Sequence, residues 1–210
     1  MPVNIVQYET FRKIGKELNH KIMKTCLDSD VLMKAAHLLG VRRGDTLFFD
    51  REDETNILMD FALHEYRVNN KNTVEIYREQ VGGTTEAEKE ILDALVSSQT
   101  SLFKIDSLLA EENAILLNDC MKKGESLILT DFGLSQTAIP GLLLFLRAVR
   151  LKYFNVTSGI SFAFPANLED YLLRRYKKIS KKIEPENESL KRFISFFELH
   201  KTNGLEVSYE

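Results

Sequence analysis

The hydrophobic pattern changes its period near Leu102, and this change constrains the fold more than any other feature of the chain. Before this point, apolar residues recur every three or four positions, as at Phe11, Ile14 and Leu18, which is the spacing of one helical face. After it, short runs rich in Leu, Ile, Val and Phe alternate with polar or glycine-containing turns, as in consecutive antiparallel strands. The pattern therefore predicts an α+β fold.

The same change divides the chain into three regions. Residues 1–99 are predicted to be mainly helical, residues 100–165 to form an antiparallel β region, and residues 166–210 to form C-terminal helices. The five predicted strands are LFKI, AILLND, SLILTD, LLLFLRAV and VTSGISFAF. They indicate a five-stranded sheet or a small, partly open barrel, and an apolar sheet face requires helices packed on it. Whether the three regions are separate domains or one compact unit is left open.

Local signals predict where several helices begin and end. Asp28 or Ser29 is expected to cap the second helix, and Gly40 to end it. The acidic stretch DREDE precedes a third helix that carries Ile57, Leu58, Phe61 and Ala62 inward. Thr85 and Glu88 have the spacing of a capping box for a further helix, after which SSQTS is predicted to be a loop.

The C-terminal region has signals of the same kind. Asn167 is expected to cap a helix that runs through Ile183, with Asp170 as its third-position partner. A last helix is predicted over about 189–200. The segment LEVSY at 205–209 has the composition of a short edge strand.

Composition favours a soluble protein without a strong overall field. The 210 residues carry a formal net charge of −3, and 44% are apolar, so the chain can bury a core and has no global attraction for nucleic acid or anionic lipid. The N-terminus lacks the apolar core of a secretory signal, and the longest apolar run, 142–146, is too short to cross a bilayer. We therefore expect a cytoplasmic protein with no transmembrane segment and no cofactor. Cys26 and Cys120 lack metal-ligand spacing and are expected to be reduced, buried thiols.

The tripeptide Asp131-Phe132-Gly133 is the one that binds catalytic magnesium in protein kinases. A kinase also needs a His-Arg-Asp loop, a glycine-rich loop and an Ala-Pro-Glu motif, none of which the sequence contains. The stretch lies between two predicted strands and is therefore expected to be a turn or irregular loop. Its polar residues Ser135, Gln136 and Thr137 are expected to make contacts with a partner, because loops often carry binding residues.

Other enzyme motifs are incomplete. The last glycine of a GxSxG hydrolase motif is missing after Ser135, no GxxxxGK[ST] loop occurs, and His64-Glu65 lacks the second histidine of a zinc protease. What remains is Asp60 with His64, four residues apart on one helical face, which is the spacing of two metal ligands or of an oriented base. An exposed pair without a third ligand is the expected outcome.

The stretch RRYKKISKK, 174–182, has six basic residues among nine. If it is helical, Leu172, Tyr176, Ile179 and Ile183 form an inward stripe, and the basic residues lie on the other sides. The six basic residues are Arg174, Arg175, Lys177, Lys178, Lys181 and Lys182. Such a surface could bind phosphates, an anionic membrane or an acidic protein, or it could simply pair with nearby carboxylates.

These observations predict a non-enzymatic protein that binds a protein partner or associates with itself. A nucleic-acid-binding protein that uses the basic helix beside the β region is the alternative. Its candidate stacking platforms are the aromatic residues of that region, Phe103, Phe132, Phe145, Tyr153, Phe154, Phe162 and Phe164. An enzyme or metal-binding protein that uses Asp60 and His64 is the second alternative.

Overall fold

The computed structural model describes residues 5–184 and 187–205, which form an α+β fold as predicted. The helices in these residues are α1 Ile5–Cys26, α2 Ser29–Leu39, α3 Glu54–His64, α4 Thr73–Gln80, α5 Glu86–Val96, α6 Leu134–Thr137, α7 Glu169–Ile179 and α8 Glu188–Asn203. The strands are β1 Arg42–Arg43, β2 Thr46–Leu47, β3 Gln99–Leu109, β4 Ala114–Asp119, β5 Ser126–Thr130, β6 Leu143–Arg150 and β7 Asn155–Phe164. Three short 3-10 turns lie at Ala110–Glu112, Ala166–Leu168 and Ser180–Lys182.

The described residues divide into two compact units. Residues 5–97 form a helical unit with α1 to α5 and the small hairpin β1–β2. Residues 98–184 and 187–205 form a sheet unit with β3 to β7 and α6 to α8. The predicted β region and the predicted C-terminal helices thus lie together in the second unit.

Capping residues fix the helices of the helical unit at their ends. The Asp28 carboxylate accepts a hydrogen bond from the Val31 amide at 2.7 Å, and Gly40 ends α2 with a φ of 77°, as predicted. The predicted inward residues of α3 are all buried. Helix α4 was not predicted, although Asn72 and Glu75 form a complete capping box before it.

Only one of the two hydrogen bonds of the predicted capping box is formed at the start of α5. Thr85 Oγ1 does accept a hydrogen bond from the Glu88 amide at 3.1 Å. The Glu88 carboxylate, however, accepts hydrogen bonds from the amide and hydroxyl of Thr84, and it pairs with Lys21 Nζ at 2.5 Å. Glu88 therefore links α1 to the start of α5.

The sheet unit contains one antiparallel sheet with the strand order β5-β4-β3-β6-β7. It is not closed into a barrel, but its two edge strands meet where Asn155 Nδ2 donates to the Ile128 carbonyl at 2.8 Å. One face carries an inner apolar cluster to which all five strands contribute. The prediction that SSQTS is a loop is wrong at its end, because Thr100 and Ser101 are buried in β3 and pair with Arg147 and Leu146.

Helix α8 covers the other face of the sheet with aromatic rings. The Phe196 ring stacks on Phe145 at 4.4 Å between centroids, and His200 stacks on Phe162 at 4.8 Å. The C-terminal helices therefore pack on the sheet, as predicted. After α8, the Leu205 amide donates to the Ala163 carbonyl of β7 at 2.8 Å. The rest of the predicted strand 205–209 lies outside the described residues.

Candidate functional site

Helix α7 positions the basic stretch, but it begins differently from the prediction. Asn167 does not cap it: residues 166–168 form a 3-10 turn, and no side chain caps the first residue, Glu169. The helix ends at Ile179 and continues as the 3-10 turn Ser180–Lys182, close to the predicted end at Ile183.

The inward side of α7 is fixed by packing and by one ion pair. Leu172 is fully buried, and the Tyr176 ring stacks on Phe196 of α8 at 5.5 Å with an interplanar angle of 23°. Glu169 pairs with Lys104 of β3 at 3.2 Å. These contacts set the rotation of α7 about its own axis and therefore decide which residues face outward.

The outward side of α7 and its 3-10 turn forms a basic surface. Its members are Arg174, Arg175, Lys177, Lys178, Lys181 and Lys182, and all six are exposed. None of them makes an ion pair or side-chain hydrogen bond with another described residue. The sequence left open that nearby carboxylates neutralise these six residues. Glu169 does not do so, because it pairs with Lys104.

A concavity of about 360 Å³ lies on this surface. Among the described residues it is lined by Arg175, Lys178, Ile179, Lys181 and Lys182, all of which belong to α7 and its 3-10 turn. Most of the wall is apolar, which fits Ile179 and the methylene chains of the basic residues. Ile179 was predicted to lie in the inward stripe only, although it lies four residues after Arg175 and three before Lys182 on one helical face.

After β5, Asp131-Phe132-Gly133 lies in a turn, as predicted, whereas residues 134–137 form the short helix α6 and not an irregular loop. Asp131 Oδ1 accepts a hydrogen bond from the Leu134 amide at 2.9 Å and so begins α6. Ser135 is fully buried, and its hydroxyl donates to the Phe132 carbonyl at 3.1 Å, so its side chain is not exposed to a partner. Gln136 and Thr137 are exposed. The kinase-like tripeptide thus forms the turn that precedes a short helix.

Asp60 and His64 do lie together, but the prediction that the pair is exposed is wrong. Asp60 Oδ1 is 3.9 Å from His64 Nε2, and both side chains are buried. They are two of the eight buried residues among the eleven of α3. The Asn72 amide group donates to the His64 carbonyl at 2.9 Å, which ties α3 to the start of α4. Within residues 5–184 and 187–205, no group of three or more His, Cys, Asp or Glu side chains is placed to hold a metal ion.

Both cysteines are free thiols whose environments disfavour the thiolate. Burial, and after it the nearby carboxylates of Glu169 and Asp119, raise the pKa of Cys120 to about 12. Burial also raises the pKa of Cys26. Both are partly exposed, whereas the sequence analysis expected them to be buried. At neutral pH both thiols are protonated and weakly nucleophilic.

The aromatic residues considered as stacking platforms are mostly in the core. The buried ones are Phe103, Phe145, Phe154, Phe162 and Phe164. Phe132 is half-buried, and only Tyr153 of the set is largely exposed, at 67%. The sheet therefore presents no row of exposed rings in the described residues on which successive bases could stack.

Comparison with known proteins places the chain in one family. A model described as "Family of unknown function (DUF7986)" matches residues 3–210. The comparisons with curated proteins and with solved structures returned no match. No described helix is both long and apolar enough to cross a bilayer. Because the family model matches almost the entire sequence, the chain belongs to this family of unknown function, DUF7986.

Proposed function

We propose that this protein is a non-enzymatic binding protein that recognises an acidic surface of a partner protein through the basic surface of α7. The observation that carries the proposal is that six exposed basic side chains on one helix and its following turn make no ion pair within the described residues. Like charges held close together repel each other, and a carboxylate-bearing partner relieves that repulsion.

The rigidity of α7 also supports binding. Its inward side is held by buried Leu172, the Tyr176–Phe196 stack and the Glu169–Lys104 pair, so the backbone that carries the basic residues is ordered before a partner arrives. A single exposed ion pair contributes only about 0–1 kcal/mol. Affinity must therefore come from several pairs at once, and it should fall as salt screens them.

Charge and ring placement favour a protein partner over nucleic acid. The net charge is −3, so attraction to phosphates is limited to the α7 side. Bound single strands usually stack on aromatic side chains, and the rings of the sheet are mostly buried. A second copy is one candidate partner, because residues 1–97 carry 17 acidic and 13 basic side chains.

The experiment compares two double charge reversals of equal size. K178E/K182E changes the basic surface, and K123E/R150E changes two exposed basic residues elsewhere in the sheet unit. Fluorescence anisotropy measures binding of a labelled Glu- and Asp-rich dodecapeptide and of a 20-nucleotide oligothymidine, each from 20 to 300 mM salt. Sedimentation velocity over a range of protein concentrations measures self-association.

We expect the acidic peptide to bind wild type in a salt-dependent way, K178E/K182E to lose at least tenfold in affinity, and K123E/R150E to lose less than twofold. Self-association that only K178E/K182E abolishes would identify a second copy as a partner. Absence of peptide binding together with absence of self-association, or equal losses in both variants, would contradict the proposal. Much tighter binding of the oligothymidine would replace it with the nucleic-acid alternative.

A further inference from the structure

The concavity on the basic surface points to the chemistry of the bound segment. We infer that this segment carries one apolar side chain between its acidic residues, and that this side chain enters the concavity beside Ile179. The inference rests on the proposed function, because it describes the partner of the same surface. It adds a feature that charge alone does not require.

The walls of the concavity argue against an enclosed small-molecule site. Sites for drug-sized ligands have volumes of about 300–1,000 Å³ and bury most of the ligand surface. This concavity is at the lower end of that range, at about 360 Å³, and within residues 5–184 and 187–205 its lining comes from α7 and its 3-10 turn. One helical segment cannot surround a ligand on all sides. A side chain projecting from a macromolecular surface needs no such enclosure, since its own backbone covers the open side.

The lining combines an apolar wall with charges. Ile179 is partly exposed here, and the neighbouring lysine and arginine chains present methylene groups below their charged ends. Arg175 and Lys182 lie on the same face as Ile179, at positions −4 and +3 relative to it, and the adjacent residue Lys178 also lines the concavity. A fully charged segment would leave the apolar wall in contact with water or with carboxylates. A segment with a leucine flanked by acidic residues matches both parts of the surface.

The test uses two acidic dodecapeptides of equal charge that differ at one central position, Leu in one and Ser in the other. We expect wild type to bind the Leu peptide about tenfold more tightly, which is the effect of partly burying one aliphatic side chain. This ratio should persist when salt weakens both peptides, because burial of apolar surface is not screened. Ile179→Ser should reduce the ratio of the two affinities to about one, and this ratio, not either affinity alone, is the readout.

Two controls keep the outcome interpretable. Ile139→Ser changes another exposed isoleucine of the sheet unit, which is 63% exposed, and should leave the ratio unchanged. A Leu peptide with a photoreactive leucine analogue should crosslink wild type at residues 175–182, so the location is tested even if Ile179→Ser fails to fold.

The possible failures are distinguishable. If both peptides bind wild type equally, the apolar anchor is wrong and the proposed function stands. If neither peptide binds, and the protein does not self-associate, both proposals fail. If Ile179→Ser keeps the tenfold ratio, or if the crosslinks lie outside residues 175–182, the assigned position of the anchor is wrong.

Discussion

The two units of the molecule use their charged side chains differently. In the helical unit, ion pairs join helices and fix turns, as in Lys21–Glu88, Arg67–Glu75 and Arg78–Asp93. In the sheet unit, the largest group of cations lies on α7 and makes no ion pair within the described residues. Charges that already have partners contribute to the native structure, whereas a group of like charges without partners adds repulsion. This difference makes α7 the candidate binding surface of the molecule.

The sheet unit is held together mainly by apolar contacts. Rings of β6, β7 and α8 form one cluster in which Phe196 touches Phe145, Phe164 and Tyr176. The same cluster fixes α7, through Tyr176, in the orientation that exposes the basic surface. Packing in the core and exposure of charge on α7 are therefore consequences of one arrangement.

The largest expected effect is in this ring cluster. Phe196→Ala should lower the free energy of unfolding of the sheet unit by about 3–5 kcal/mol, because a fully buried ring is replaced by a cavity. Hydrogen exchange of β6 and α8 amides, followed by mass spectrometry, measures the loss within the sheet unit itself. Tyr153→Ala is the matched control: its ring is 67% exposed, and its loss should stay below about 1 kcal/mol. Equal losses in Phe196→Ala and Tyr153→Ala would show that the ring cluster does not dominate the stability of the sheet unit.

A smaller effect is expected where charge supports structure in the helical unit. Glu88→Gln keeps the shape of the side chain but removes the charge that pairs with Lys21 and accepts two hydrogen bonds from Thr84. Hydrogen bonds to charged groups contribute about 1.5–3 kcal/mol, and Gln retains part of them, so a loss of about 1–2 kcal/mol is expected at pH 7. Thermal and urea unfolding of the helical unit, which contains α1 and α5, measure this loss in free energy.

The pH dependence of this loss has a definite sign. The hydrogen bond from Lys21, together with those from Thr84, lowers the pKa of Glu88 from 4.5 to about 2. A lowered native pKa means that the carboxylate stabilises the fold above pH 4.5 and that this contribution is lost as the pH falls through about 2. The difference in free energy of unfolding between wild type and Glu88→Gln should therefore shrink as the pH falls from 4.5 to about 2. Glu86 is the control, because its side chain is 91% exposed, and Glu86→Gln should change the free energy of unfolding by no more than about 0.5 kcal/mol at any pH. If the free-energy difference between wild type and Glu88→Gln stays constant with pH, the stabilising role assigned to the Glu88 carboxylate is wrong.

Much of the fold was predictable because its signals are local. Hydrophobic period identified the five strands and most helices, and caps such as Asp28 and Gly40 marked helix ends. The missed helix α4 is short, with eight residues of which three are buried, but the pair Asn72 and Glu75 was a readable capping signal. The start of β3 was missed because Thr100 and Ser101 are polar, and their burial depends on the neighbouring strand.

The candidate site was predictable in its charges and not in its shape. Helical period correctly placed the six basic residues outside, because Leu172 and Tyr176 define the inward side. The burial of Asp60 and His64 depends on α2 and α4 packing around α3, which their spacing of four residues does not encode. The concavity beside Ile179 lies where α7 changes to the 3-10 turn at Ser180, a change for which the sequence offered no separate signal.

The smallest expected effect is on the stability of the sheet unit when its basic surface is neutralised. Two opposing terms apply to K178Q/K182Q: loss of a cation near the C-terminal end of a helix destabilises by about 0.3–1 kcal/mol, and relief of repulsion among the remaining cations stabilises by a similar amount. No ion pair is lost within the described residues, so the free energy of unfolding should stay within about 0.5 kcal/mol of wild type in urea denaturation at 150 mM salt. A loss above about 1 kcal/mol would mean that these lysines stabilise the native sheet unit. They would then resemble Lys21 of the helical unit, and the contrast between the two units, on which the assignment of α7 as a binding surface depends, would disappear.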